Sequence, residues 1–149
     1  MIVENHQIAY RHVASKLYNF VPEEIELAFQ DFVHILSEYN YSPTGVVFYS
    51  VIGESSEGVM TAEIFIQISE TSIAIPREEA VKFTSYFCVD HLLMTRVQGD
   101  FDMKSQEKYQ ELSTYMEQKN YIQKTPLFVQ IKKMHTTDSS YVEMSIGVL

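Results

Sequence analysis

Basic residues are scarce in this 149-residue chain: 11 Lys and Arg stand against 20 Asp and Glu, a formal net charge of −9. A phosphate backbone would be repelled and no Lys/Arg cluster offsets that, so nucleic acid is not an expected partner. A cationic small molecule or a basic protein suits the balance better. There is one cysteine, Cys88, which excludes an internal disulfide and a Cys-rich metal site. Its setting, YFCVDHLLM, reads as a buried structural thiol rather than a nucleophile. Glycine (5) and proline (4) are few while hydrophobic residues reach 46%, so the chain can fill a core and is not a disordered one. No run approaches the roughly 18 apolar residues that span a bilayer, so no membrane association is expected. The first residues, MIVENHQIAY, lack the basic-then-apolar order of a secretory leader, and a cytoplasmic protein is the expectation.

The motifs of catalysis are missing too. No GxSxG turn appears, and GESSEG lacks the glycine pattern and lysine of a phosphate loop. The histidines (His6, His12, His34, His91 and His135) show neither HxH nor HxxxH spacing. The expectation is therefore a non-enzyme with no catalytic residues, no metal and no cofactor.

What is present is a pattern that occurs twice. Residues 6–18 alternate like a strand, and VPEEIELAFQDFVHILSEY then opens with Pro22, Glu23 and Glu24, a good first helical turn. Ile25, Phe29, Phe32, Val33 and Leu36 follow at helical spacing. NYSPTG ends the helix, GVVFYSVI and VMTAEIFIQI read as strands, and ESSEG joins them as a hairpin loop. A connector over about residues 70–81, with room for a short strand, leads to the second pass. AVKFTSYFCVDHLLMTRV reads as a strand and QGDF as a turn. DMKSQEKYQELSTYMEQK is a helix with Met103, Tyr109, Leu112 and Met116 inward, and PLFVQIKKM and SYVEMSIGVL are strands. The chain reads as one α+β domain, 1–149, of two pseudo-symmetric β-α-β-β modules (about 6–69 and 82–149). They form antiparallel sheet with helices on one face and a groove on the other.

Sliding the chain eighty positions along itself aligns Asn40–Tyr41 with Asn120–Tyr121, Phe48 with Phe128, Glu63 with Glu143, Ile66 with Ile146 and Lys16 with Arg96. Identities are few, but no gap is needed and the element order coincides. Alternation then places Ala62, Ile64, Ile66 and Ile68 on one face, and Thr61, Glu63, Phe65 and Gln67 on the other. Likewise Val142, Met144, Ile146 and Val148 oppose Tyr141, Glu143 and Ser145. The apolar faces should meet the helices, leaving Phe48 and Phe128 on the mixed faces with the two glutamates. A carboxylate beside aromatic rings suits a cation, through charge and ring-face attraction; a solvated residue on an open sheet face is the plainer alternative.

RVQGDF running into a helix, with the closing VEMSIGV, resembles the GyrI-like effector-binding superfamily, built from two β-α-β-β modules of SHS2 type about a pseudo-twofold axis. The resemblance covers nearly the whole chain. It implies a central groove that takes a hydrophobic cationic small molecule, with Glu143 as the leading contact. Glu63 is its symmetry counterpart, and Tyr141, Phe48, Phe128 and Phe65 are the aromatic lining. No helix-turn-helix pattern precedes the first strand, so a stand-alone module is expected, monomer or homodimer. The chain departs from the family pattern in closing on GVL and in having no tryptophan. The missing tryptophan, the missing DNA-binding segment and the strong acidity favour a second reading: a protein-interaction or adaptor role for an acidic surface with ten tyrosines. A third, a small-molecule hydrolase using groove carboxylates, is implied only through the superfamily.

Overall fold

The computed structural model describes residues 1–133 and 140–149, so Met134 and His135 lie outside the described residues. The fold is α+β, and its elements follow the twice-repeated order. These are β1 (Ile2–Phe20), α1 (Ile25–Glu38), β2 (Pro43–Glu54), β3 (Met60–Ile68), β4 (Lys82–Gln98), α2 (Phe101–Lys119), β5 (Gln123–Lys133) and β6 (Ser140–Val148). The connector forms a short 3-10 turn at Arg77–Glu79 and no strand. The chain divides into two compact units, Ala9–Phe87 on one hand and Met1–Ile8 with Cys88–Leu149 on the other.

In the first unit β3 lies between β1 and β2; in the second, β6 lies between β4 and β5, all antiparallel. The two hairpins share one register at a spacing of eighty residues. Phe48 faces Phe65 and Ser50 faces Glu63, as Phe128 faces Ser145 and Gln130 faces Glu143. Even the irregularity recurs, between Pro43 and Val47 and between Gln123 and Leu127. Both helices end alike. Asn40 and Asn120 adopt φ of 64° and 57°, and the next amides, Tyr41 and Tyr121, donate back to Leu36 and Met116 at 2.8 and 2.9 Å. Asparagine tolerates that left-handed step and lets the chain satisfy the last helical carbonyls as it leaves.

The first strands depart from the eighty-residue spacing. Leu17 faces Glu63 while Arg96 faces Glu143, so Arg96 corresponds to Leu17 and not to Lys16. His12 and His91 mark the same offset, both with positive φ (57° and 59°) in mid-strand. Asn5 adds a further left-handed step at φ 57°. Such steps break strict alternation, which is why β1 reads from residue 6 in the sequence yet begins at Ile2.

Each helix covers the apolar face of its own sheet. Phe32 lies 6.3 Å, ring to ring, from Tyr18, and Phe29 lies 5.9 Å from Tyr49. Tyr18 and Tyr49 share a face with Ala62 and Ile64. In the other unit Leu112 packs with Leu93, Val97, Met144 and Ile146. The inner stripe of α1 is Ala28, Phe32, Ile35 and Leu36; Val33, about 100° around from Phe32, is exposed. On α2, Met103 lies opposite Leu112 and is 78% exposed, and Tyr109 is also exposed, so the inner side is Leu112 flanked by Phe101, Tyr115 and Met116. Asp100 caps α2 by accepting from the Met103 amide at 3.3 Å. Among the described residues no helix is long and apolar enough to cross a membrane.

Cys88 is exposed, contrary to the expectation of a buried thiol. It shares its strand face with exposed Tyr86 and Asp90, and the Gln7 side-chain amide donates to Cys88 Sγ at 3.4 Å and to Asp90.

Candidate functional site

Antiparallel pairing puts residues that face one another on the same side of the sheet. On the side away from α2, three strands therefore contribute the row Arg96–Glu143–Gln130, with Met94–Ser145–Phe128 next to it and Gln98–Tyr141–Lys132 on its other flank. Every member of the Met94–Ser145–Phe128 row is at least nine-tenths buried.

Glu143 is 4% exposed. Its Oε2 accepts from Arg96 Nε at 3.2 Å. Its Oε1 is buried and, among the described residues, accepts no hydrogen bond. The nearest cationic candidate for Oε1 is His6 Nε2 on β1, at 3.6 Å, too far for a good hydrogen bond. Burial pushes the His6 pKa below its ordinary value, and Lys132 and Arg96 add to that while Glu143 opposes it. His6 therefore stands neutral at neutral pH and brings no full charge to Oε1. The Arg96 guanidinium lies over the Tyr141 ring, 5.2 Å from its centroid.

A carboxylate out of water with one oxygen lacking a donor is costly, because a buried charge is stabilised only when paired and hydrogen-bonded. Chemically the arrangement is an acceptor for a cation, with Tyr141 beside it as a ring face. It is not the solvated residue that an open sheet face would give. Among the described residues no group of three or more His, Cys, Asp or Glu is placed to hold a metal.

The other unit carries the corresponding row Leu17–Glu63–Ser50. Glu63 is only half-buried and, among the described residues, has no hydrogen bond or ion pair. On the same face Phe65 stacks on Phe48 at 4.6 Å, Phe87 meets Phe65 and Phe48 at 4.9 and 5.3 Å, and Tyr10 stacks on Phe48 at 5.7 Å. Phe48 and Phe65 are buried, so these rings pack largely on one another.

Of the six residues singled out in the sequence, Glu143, Tyr141 and Phe128 thus share one sheet face in one unit, and Glu63, Phe48 and Phe65 share one in the other. Sequence reasoning missed His6 and Arg96 as partners of Glu143. The positive-φ steps in β1 and β4 hid the register that brings Arg96 level with Glu143, and only the folded sheet places His6 there. Two open surface depressions in this unit, of about 480 Å³ beside α2 at Ile2 and Tyr115 and about 280 Å³ at Glu4 and Leu149, are not lined by Glu143.

Residues 9–149 match the model of a domain of unknown function, DUF5085. No curated protein matches the chain. Among solved structures it is similar to the EcmrR C-terminal domain (TM-score 0.67, 12% identity, 97% of this chain and 98% of that one). It matches EcmrR in a DNA complex with TM-score 0.72 and 13% identity, over 97% of this chain but 56% of EcmrR. SAV2435 bound to tetraphenylphosphonium aligns with TM-score 0.54 at 13% identity, over 99% and 94% of the two chains. A hydrolase from Listeria innocua aligns with TM-score 0.58 at 12% identity, over 100% and 90%. At these identities the likeness is one of fold.

Proposed function

We propose that this chain, which belongs to the DUF5085 family, is a non-enzymatic ligand-binding module of the GyrI-like effector-binding type and that its ligand is a hydrophobic organic cation held at Glu143. The observation that carries this reading is the buried Glu143 Oε1, which has no donor among the described residues. Stability alone gives no reason to keep a carboxylate there, whereas a cation arriving from solution supplies a further counter-charge. The tetraphenylphosphonium held by SAV2435, which shares the fold, is a ligand of this chemical class.

The test is thermal unfolding with tetraphenylphosphonium and with neutral triphenylphosphine oxide, on wild type, Glu143→Gln and Glu63→Gln. At a hundredfold excess over Kd a ligand that binds only the folded state adds about 2.7 kcal/mol. For a chain of this length that raises Tm by roughly 5–10 °C. The cation should produce this shift in wild type and lose it in Glu143→Gln, with the neutral analogue inert throughout. An equal shift in Glu143→Gln, or an equal response to the neutral compound, defeats the reading.

One observation favours the adaptor alternative: Arg96 already supplies a positive charge to Glu143 Oε2, so the site is partly filled by the chain's own side chain. If no cation shifts Tm, the acidic, tyrosine-bearing surface becomes the place to look, with a basic protein as the partner.

A further inference from the structure

Arg96 holds Glu143 in an unusual way. Only Nε reaches the carboxylate, at 3.2 Å, where a guanidinium set for maximal stability presents two parallel N–H groups. The rest of the group lies over Tyr141 at 5.2 Å. The Arg96 side chain is 57% exposed while its partner is 4% exposed. Arginine therefore gives up little on swinging into water, whereas the glutamate has no such escape. Nor does the strand pairing need a cation here, because the equivalent place in the other repeat is Leu17, facing Glu63.

We propose that Arg96 is the resident occupant of the cation site, a specificity-determining side chain that a ligand must displace from Tyr141 and Glu143. The proposal rests on the ligand-binding reading above and adds to it the rule of selection. A cation binds when it replaces both the charge at Glu143 and the ring contact at Tyr141, and it gains further if it reaches the unsatisfied Oε1. A neutral hydrophobic compound that dislodges Arg96 leaves the buried carboxylate without a counter-charge, and so is rejected. His6, Lys132 and Gln130 border the same carboxylate; His6 is neutral, and Lys132 and Gln130 have contacts of their own.

The experiment is calorimetric titration of tetraphenylphosphonium into wild type, Arg96→Leu, Arg96→Gln and the double variant Arg96→Leu/Glu143→Gln. Leucine is the residue of the other repeat, and glutamine keeps an N–H for Oε2 should the leucine variant fail to fold. Removing the resident competitor should tighten Kd about two- to fivefold, the size of one partly exposed charge contact. The gain should vanish in the double variant. A merely structural Arg96 would weaken binding or leave it unchanged when replaced. If wild type binds and neither single variant binds more tightly, the displacement proposal is overturned while the ligand site stands. If neither wild type nor the single variants bind, the ligand reading and the displacement proposal fall together.

Discussion

Replacing Glu143 by glutamine separates a structural carboxylate from a functional one. The substitution is isosteric at a residue 4% exposed, so no cavity opens. What is lost is a single charge-assisted bond to Arg96 at 3.2 Å. Since Arg96 is 57% exposed, that bond is discounted for solvent screening to about 0.5–1 kcal/mol. What is gained is relief from burying an ion whose Oε1 has no donor among the described residues, a penalty of several kcal/mol per ion at full burial and only partly offset here. The amide keeps an acceptor for Arg96. The expected net effect is a stabilisation of about 1 kcal/mol, or a rise in Tm of roughly 2–4 °C for a chain of this length. Urea denaturation at pH 7.5 measures it, with an unchanged m-value as evidence that the folded state is intact. A loss of more than about 2 kcal/mol would show that the ion pair is part of what holds this unit together, and the case for a ligand would lose its premise.

Leu112 is the one buried residue of α2 and packs with Leu93, Val97, Met144 and Ile146, so Leu112→Ala should cost about 2–5 kcal/mol by chemical denaturation. A cost under 1 kcal/mol would mean that α2 is not anchored there. Gly147 donates its amide to Thr125 Oγ1 at 2.8 Å, and a Cβ at this position would stand 2.5 Å from Thr125 Cγ2. Gly147→Ala should therefore destabilise by about 1–3 kcal/mol, with partial rescue when Thr125→Ser removes that methyl; an absent rescue would refute the steric cause. His6 titrates below its usual 6.5 in the folded chain because it is buried. The unfolded chain therefore takes up its proton first as pH falls, and stability declines from pH 7 downward until the folded-state value is passed. His6→Gln should flatten Tm between pH 7 and 5.5 relative to wild type, and an unchanged slope would mean that His6 is not a source of acid sensitivity.

The sequence carried the repeated order of elements plainly, because the third strand of each repeat alternates and both helix exits use Asn–Tyr. Those are local signals: a period of two, and a residue that tolerates positive φ. Where signals were not local the reading failed. Val33 and Met103 are apolar and fall near helical spacing, yet both face outward, because which edge of a stripe is covered depends on the sheet beneath it. Cys88 looked buried by its neighbours Phe87 and Val89, but its strand face is the one it shares with Asp90. The candidate site was half legible. Glu143 stood out as a carboxylate in an apolar strand, and its burial against Arg96 and His6 required a register that left-handed residues in the middle of β1 and β4 had shifted.

The shift is the same in both repeats, so the two glutamates differ because the residue facing them is Leu17 in one unit and Arg96 in the other. Glu63 sits between Leu17 and Ser50, partly in water, and has no counter-charge among the described residues. Glu143 sits between Arg96 and Gln130, out of water, and has taken one. If the fold required a carboxylate at this step, both copies would be held by the same contacts. They are not, so the β-α-β-β unit tolerates an acid there without depending on it. Phe48 and Phe128 are buried at the same position in both repeats, which is what a packing requirement looks like. The acid in the second unit is buried, costly and incompletely satisfied, so its explanation belongs to what binds there rather than to what folds there.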